Sequence, residues 1–227
     1  MRRLWWAFLR LFFRLLYNQF AWTYDLVAWM VSLGQWKAWG RTAIGHLRGE
    51  RVLELAHGPG HLLVAMAERD LTPVGLDLSP HMGYQAKRRL ERDGLDVPLV
   101  RARAQALPFC AGCFDSAVAT FPTEFILAPA TLREAARVLR SPELTEGRAE
   151  GRAEGRPAGR LVVVAWARLG RRDPLSRFIG WLYRATGQGE PPPGLGEAAA
   201  ARAGFVPRTV RERVGRSEVM LVVAQKR

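Results

Sequence analysis

Cysteine, lysine and acid are all scarce in this chain of 227 residues, and each shortage excludes something. Two cysteines cannot build a disulfide framework. Cys110-Ala-Gly-Cys113 has no second pair at metal-ligand spacing, so neither a stapled secreted scaffold nor a zinc module is expected. A reducing, cytoplasmic setting with no resident metal is the expectation. Long apolar runs are missing too: the charge-free stretch Leu26–Trp36 holds eleven residues, against the ~20 that cross a bilayer. Lysine stands only at 37, 87 and 226, so the basic excess is almost all arginine. With 34 Lys and Arg against 21 Asp and Glu, the net charge is +13. The excess sits in the flanks, because residues 52–159 are nearly balanced. Such flanks attract anionic lipid or nucleic acid, and charge alone does not choose between them.

The N-terminus does choose. Met1–Tyr17 has no acid, and its four arginines stand among Leu, Trp and Phe. On a helix, Arg3, Arg10 and Arg14 fall within about 40° of one another, leaving an apolar remainder. That is the pattern of a helix lying in a membrane interface. Arg10 and Arg14 interrupt the apolar run too soon for a span or a secretion signal. An anionic membrane surface is therefore an expected partner through residues 1–17, with the protein peripheral on the cytoplasmic face. Packing of the same helix onto the domain or a second subunit is the alternative.

Further along, Glu143–Pro157 repeats Gly-Arg-Ala-Glu and lacks the apolar residues needed for a core. Residues 143–158 are predicted to be a low-complexity loop insertion. Asp173–Ala185 has amphipathic helical spacing, Pro191-Pro-Pro-Gly marks a turn, and Phe205–Arg213 with Ser217–Lys226 predicts a hairpin around Gly215.

The chemistry is concentrated between residues 52 and 125. Val52-Leu-Glu54-Leu-Ala56-His-Gly58-Pro-Gly60 is an apolar run ending in an acid, then a Gly-x-Gly turn, then a helical pattern. Val74-Gly-Leu-Asp77-Leu78-Ser79 is a second apolar run ending in a carboxylate. A strand, a turn that lets backbone approach a ligand, and a second acid for ribose hydroxyls make up a nucleoside site. Ala56 and His61 break the full dinucleotide spacing.

In order along the chain, Glu54-x-Ala56-x-Gly58-x-Gly60, Val74-Gly-Leu-Asp77, Arg103-Ala-Gln105-Ala-Leu-Pro-Phe109, Phe114-Asp115-Ser-Ala-Val-Ala-Thr120 and Leu132–Arg140 followed by Gly159–Val164 resemble the class I S-adenosylmethionine-dependent methyltransferases, in particular the ubiquinone/menaquinone C-methyltransferase type. The resemblance covers residues 50 to 227. It implies an α/β fold: a Rossmann-like three-layer sandwich on a seven-stranded, mostly parallel sheet with an antiparallel last strand. The catalytic domain would span 49–227, preceded by amphipathic and lid helices over 1–48.

The same resemblance implies S-adenosyl-L-methionine as cofactor and assigns its contacts. Glu54 would orient the loop and the amino group, while Ala56, Gly58 and Gly60 form the turn. Amides at the start of the helix near Pro59 would help hold the carboxylate. Asp77 would accept the ribose hydroxyls, with Leu78 and Met82 by the adenine. Ala104 and Gln105 would border the base, Phe121 the methionyl part, and Tyr24 would belong to a lid. Ala56 stands where Gly is usual. Arg103 stands where related chains carry an Asp for adenine N6, a bond that Gln105 or a backbone carbonyl must then accept.

Glu124 is the candidate general base, whereas His57, His61 and His81 fit loop or helix-start positions. An acceptor that is already an anion would need no base. The expected function is methylation of a small lipophilic acceptor, a quinone precursor or a phospholipid head group. A non-catalytic membrane scaffold on the same fold is the alternative. An RNA methyltransferase is a weaker one, since Phe121-Pro-Thr-Glu124 replaces the Asn-Pro-Pro-Tyr of base methylation. In a flotation assay the whole chain is expected to rise with anionic vesicles, and the chain lacking residues 1–17 to stay at the bottom of the gradient.

Overall fold

A computed structural model describes residues 29–30, 32–142, 157–170 and 194–227. The basic N-terminal segment, Tyr24, the repeats within 143–156 and the predicted helix at 173–185 lie outside the described residues. Among the described residues, no helix is long and apolar enough to cross a membrane.

Strand β1 (Arg51–Leu55) is buried at every position after the first, as a strand covered on both faces must be. It lies inside a seven-stranded sheet built from β2 (Thr72–Asp77), β3 (Leu99–Arg101), β4 (Ser116–Thr120), β5 (Arg160–Arg168), β6 (Phe205–Val214) and β7 (Ser217–Lys226). The order is β3-β2-β1-β4-β5-β7-β6. The first five strands are mutually parallel, and β7 runs antiparallel to both of its neighbours. Chain progression therefore reverses between β1 and β4, where β1 pairs Leu53 with both Val74 and Ala117. Such a switch point opens a crevice at the carboxyl ends of the strands.

Alternation along the strands produces the three layers. Val52, Val118 and Val162 face a core shared with helices α1 (Trp36–Arg41), α2 (His61–Ala67) and α3 (Pro80–Arg92). Leu53, Ala117 and Leu161 face the other core, which α4 (Pro129–Val138) and α5 (Leu195–Arg202) cover. Helix α3 begins where Ser79 caps the Met82 amide and Pro80 takes the first turn, where its missing N–H costs nothing. The expected hairpin is present: β6 and β7 join through Gly215-Arg216, with Gly215 at φ +57°. Strand β5 runs on to Arg168, because β7 continues to pair with it past an irregularity between Val164 and Trp166.

The two sides of the insertion meet. Gly159 N–H donates to Arg140 C=O at 2.9 Å, while Arg140 N–H donates to Phe114 C=O at 3.0 Å. A Cβ on Gly159 would stand 2.9 Å from the Arg140 nitrogen, so the junction requires glycine. The residues between leave and return at one point of a complete sheet. Deleting 143–156 is expected to leave the thermal midpoint unchanged or a few degrees higher, since a shorter loop costs less closure entropy. Scanning calorimetry measures it; a large fall would show that the insertion packs on the domain.

Candidate functional site

The chain leaves β1 at Leu55 and reaches α2 through a loop whose backbone is left-handed at every second residue. Ala56, Gly58 and Gly60 have φ of +56°, +54° and +80°. Gly60 delays α2 to His61, two residues past the expected start at Pro59. The two glycines serve different needs. A Cβ on Gly60 would stand 2.9 Å from Ala86 Cβ, so this residue lets the loop press against α3. A Cβ on Gly58 would meet nothing within 4 Å, so its open side is room for a ligand. Ala56 takes the same backbone form with a side chain, a strain of roughly 1 kcal/mol.

Four hydrogen bonds fix this loop. His57 N–H donates to Leu76 C=O at 3.2 Å and Gly60 N–H to His57 C=O at 3.0 Å. Gly58 N–H donates to Asp77 Oδ2 at 3.0 Å, and the Arg89 guanidinium donates to the Pro59 carbonyl. Asp77 closes β2 and receives a second backbone bond, from Ser79 N–H to Oδ1 at 2.8 Å. One lone pair on each of its oxygens remains for a ligand.

Glu54 lies one residue before the end of β1, only 1% exposed, with Oε2 unpartnered among the described residues. Burial raises its pKa well above the ordinary carboxylate value, and the Asp77 charge adds to the rise. His57 beside it is driven the other way by burial, opposed by Asp77. Its Nδ1 is 2.7 Å from the Gly58 carbonyl, which only accepts, so Nδ1 carries the proton there.

Glu54, His57 and the glycine loop line an open cleft at the β1–β4 switch point. Trp36, Lys37, Gly40 and Arg41 of α1 form one wall, and Thr120 and Phe121 at the end of β4 form another. Phe121 has φ +47°, donates its N–H to Val164 C=O at 2.8 Å, and packs on Trp36 with ring centroids 4.3 Å apart. Helix α1 is anchored from behind, with Ser217 Oγ 2.8 Å from Gln35 Oε1. The 3₁₀ turn Thr42–His46 that continues α1 is tied by His46 Nε2, 2.6 Å from Glu212 Oε1.

Among the expected residues, Glu54, Ala56, Gly58 and Phe121 line the cleft together, and Asp77 joins them through Gly58. Leu78 is 54% exposed beside Asp77, whereas Met82 is 1% exposed and belongs to the core side of α3. Ala104 is buried, and Arg103 and Gln105 are exposed. Their loop is held by α4: Glu134 accepts from Leu107 N–H at 2.7 Å, and Arg137 donates to the carbonyls of Leu107 and Phe109 at 2.9 and 2.7 Å. Glu124 is exposed at the head of the 3₁₀ turn Glu124–Leu127, outside the cleft lining. Tyr24 lies outside the described residues.

Sequence reasoning missed the α1 wall and the Glu134–Arg137 tie. The first was signalled by Trp36, Lys37, Gly40 and Arg41 falling on one helical face, the second by a Glu-x-x-Arg pair. Cys110 and Cys113 are free thiols, and no group of side chains among the described residues could hold a metal ion.

Residues 52–142 match the methyltransferase domain family. The demethylmenaquinone methyltransferase of Thermus thermophilus is 35% identical over 111 residues, which is 47% of this chain and 50% of that protein. The corresponding enzyme of Beutenbergia cavernae is 35% identical over 129 residues, 55% of this chain and 52% of that one. The chain thus spans about half the length of these curated relatives. In fold it is similar to geranyl diphosphate C-methyltransferase from Streptomyces coelicolor, with a TM-score of 0.59 at 16% identity over 84% of this chain and 79% of that one. That enzyme was crystallised with Mg2+, geranyl diphosphate and S-adenosyl-L-homocysteine. The matched span makes residues 52–142 similar to the methyltransferase domain family, and the sheet topology is a fold shared with solved S-adenosylmethionine-dependent methyltransferases. In sequence the chain is similar to the quinone methyltransferases.

Glu54 gives this site a testable pH dependence. Its pKa is raised on folding, so its penalty is absent below the unfolded carboxylate value near ~4.3 and grows with pH until the raised folded value is passed. Glu54→Gln is therefore expected to stabilise the ligand-free protein by on the order of 1 kcal/mol per pH unit through that window. Denaturant titrations of both proteins at pH 4 and pH 7 measure the difference.

Proposed function

We propose that this protein is an S-adenosylmethionine-dependent methyltransferase acting on a small lipophilic acceptor, quinone-related as in the named relatives, at an anionic membrane surface. The observation that carries this reading is Glu54: a buried carboxylate with an unpartnered oxygen, lining the cleft at the topological switch point. An isolated carboxylate there is costly unless a cation arrives, and the ammonium of the methionyl group is such a cation. The open side of Gly58 leaves room for the ligand beside it. Asp77 has lone pairs for the ribose hydroxyls, and exposed Leu78 offers apolar surface to the base.

When bound, the cofactor supplies an electrophilic methyl group on a sulfonium, which an electron-rich acceptor atom takes by in-line displacement. The protein's part is alignment and exclusion of water. Phe121 and Trp36 would border the methionyl end and the acceptor, presenting apolar ring faces to both. Glu54 would give up its proton to solvent as the ammonium docks. The membrane part of the proposal rests on the arginine stripe of residues 1–17, which lie outside the described residues.

Calorimetric titration with S-adenosylmethionine is expected to give micromolar binding, with Asp77→Ala weakening it at least tenfold. Binding favours ionised Glu54, so affinity should rise with pH toward the raised Glu54 pKa and level off above it. Proton release, read from two buffers of different ionisation enthalpy, should vanish in Glu54→Gln. Absence of binding by the intact protein would move the non-catalytic scaffold reading to first place.

A further inference from the structure

We propose that Lys37 and Arg41 select the ionised form of the acceptor, a phenolate or enolate oxygen, and hold it at the mouth of the cleft. This inference rests on the methyltransferase reading above and specifies what that site accepts.

Both side chains line the cleft from α1, four residues apart and therefore on adjacent turns of one helical face. Neither has an acidic partner among the described residues, where Arg137, Arg140, Arg168 and Arg211 are all paired with carboxylates. Arg41 in the last turn suits the helix dipole, whereas the placement of Lys37 works against local stability. Two like charges at this spacing repel, and Lys37 sits in the first turn of α1, where the helix dipole disfavours a cation. An anion between them removes both penalties. Among the residues lining the cleft, Glu54 is the one carboxylate; it is buried and assigned to the ammonium. The cleft thus has a site for a cation at its buried carboxylate and two unpaired cations on the α1 wall.

The neighbouring surface narrows the acceptor. Trp36, beside Lys37 in sequence, packs on Phe121 at 4.3 Å, so aromatic surface adjoins the two cations. A flat conjugated ring carrying an ionised oxygen satisfies both, its ring against Trp36 and Phe121 and its charge against Lys37 and Arg41. Binding this form also removes the need for a general base, in keeping with Glu124 being exposed outside the lining. The acceptor proton is lost to solvent on binding. An electron pair of the conjugated anion then forms the bond to the methyl carbon while the sulfur–methyl pair returns to sulfur, cancelling one positive and one negative charge. If a ring carbon is methylated, its proton passes through solvent to the ring oxygen and restores aromaticity.

The test uses 4-nitrophenol, whose ionised form is read by its visible absorbance, and needs no cofactor and no turnover. With the whole chain, the pKa of the bound probe is expected to fall by about one unit or more below that of the free phenol. In the doubly substituted Lys37→Gln, Arg41→Gln protein the shift should disappear and phenolate affinity fall about tenfold, while Lys37→Arg retains most of the shift. Both positions are exposed, so circular dichroism is expected to confirm intact folding. Three outcomes would overturn the proposal: equal binding by the double variant, equal affinity for neutral 4-nitroanisole, or preferential capture of hexyl phosphate. Cofactor titration of the double variant keeps the two readings separable. Unchanged cofactor binding with a lost phenolate shift supports both, and absent cofactor binding in the unsubstituted protein defeats the methyltransferase reading while leaving the phenolate result readable.

Discussion

The hydrogen bond from Gly58 N–H to Asp77 Oδ2 joins the ends of two neighbouring strands, and the cleft depends on it. β1 and β2 pair from Arg51–Thr72 to Leu55–Leu76, and past Leu55 the bond from His57 N–H to Leu76 C=O is the last backbone link between them. The carboxylate takes over that task, drawing the loop down onto β2 while a second bond to Ser79 N–H points the chain toward α3. Because the loop is held by Asp77 below and by Arg89 at Pro59, Gly60 can lie against Ala86 and α2 can start at a defined place. A carboxylate that organises backbone and still has free lone pairs is already oriented when a ligand hydroxyl arrives. Little reorganisation is then left for binding to induce.

Close beneath lies a second carboxylate in the opposite condition. Glu54 is buried, and its Oε2 has no hydrogen-bond partner among the described residues. Asp77 raises its pKa further, so the two acids interact: one is anchored by amides and the other has its pKa pushed up by burial and by its neighbour's charge. Environments that separate the properties of two like groups are the mark of a working site rather than of packing. The left-handed backbones of Ala56 and Phe121 tell the same story in conformational terms, since strained residues stand at both β-strand exits that frame the cleft.

Much of this was legible in the sequence where information is local. Glu54, Gly58 and Asp77 stand out because a strand, a turn and a second strand each leave a pattern within ten residues, and the β6–β7 hairpin announces itself through alternation around Gly215. The strand number and the antiparallel last strand came through the family resemblance, whereas the strand order did not, since pairing across the β1–β4 switch leaves no periodic trace. What stayed hidden depends on distance. Trp36 meets Phe121 across eighty-five positions of sequence, and neither residue alone distinguishes a cleft wall from core. Arg137 reaches back to the carbonyls of Leu107 and Phe109, bonds that no spacing rule encodes. Helical phase turns Met82 inward with Ala86 and Leu90.

The bond between Gly159 and Arg140 has a bearing on how this chain can change over generations. Because Arg140 and Gly159 are bonded to each other and to the sheet, the strand pairing at that point does not depend on how many residues stand between them. That junction lies at the amino end of β5, whereas the cleft opens at the carboxyl ends of the strands, so the two are separated by the length of the sheet.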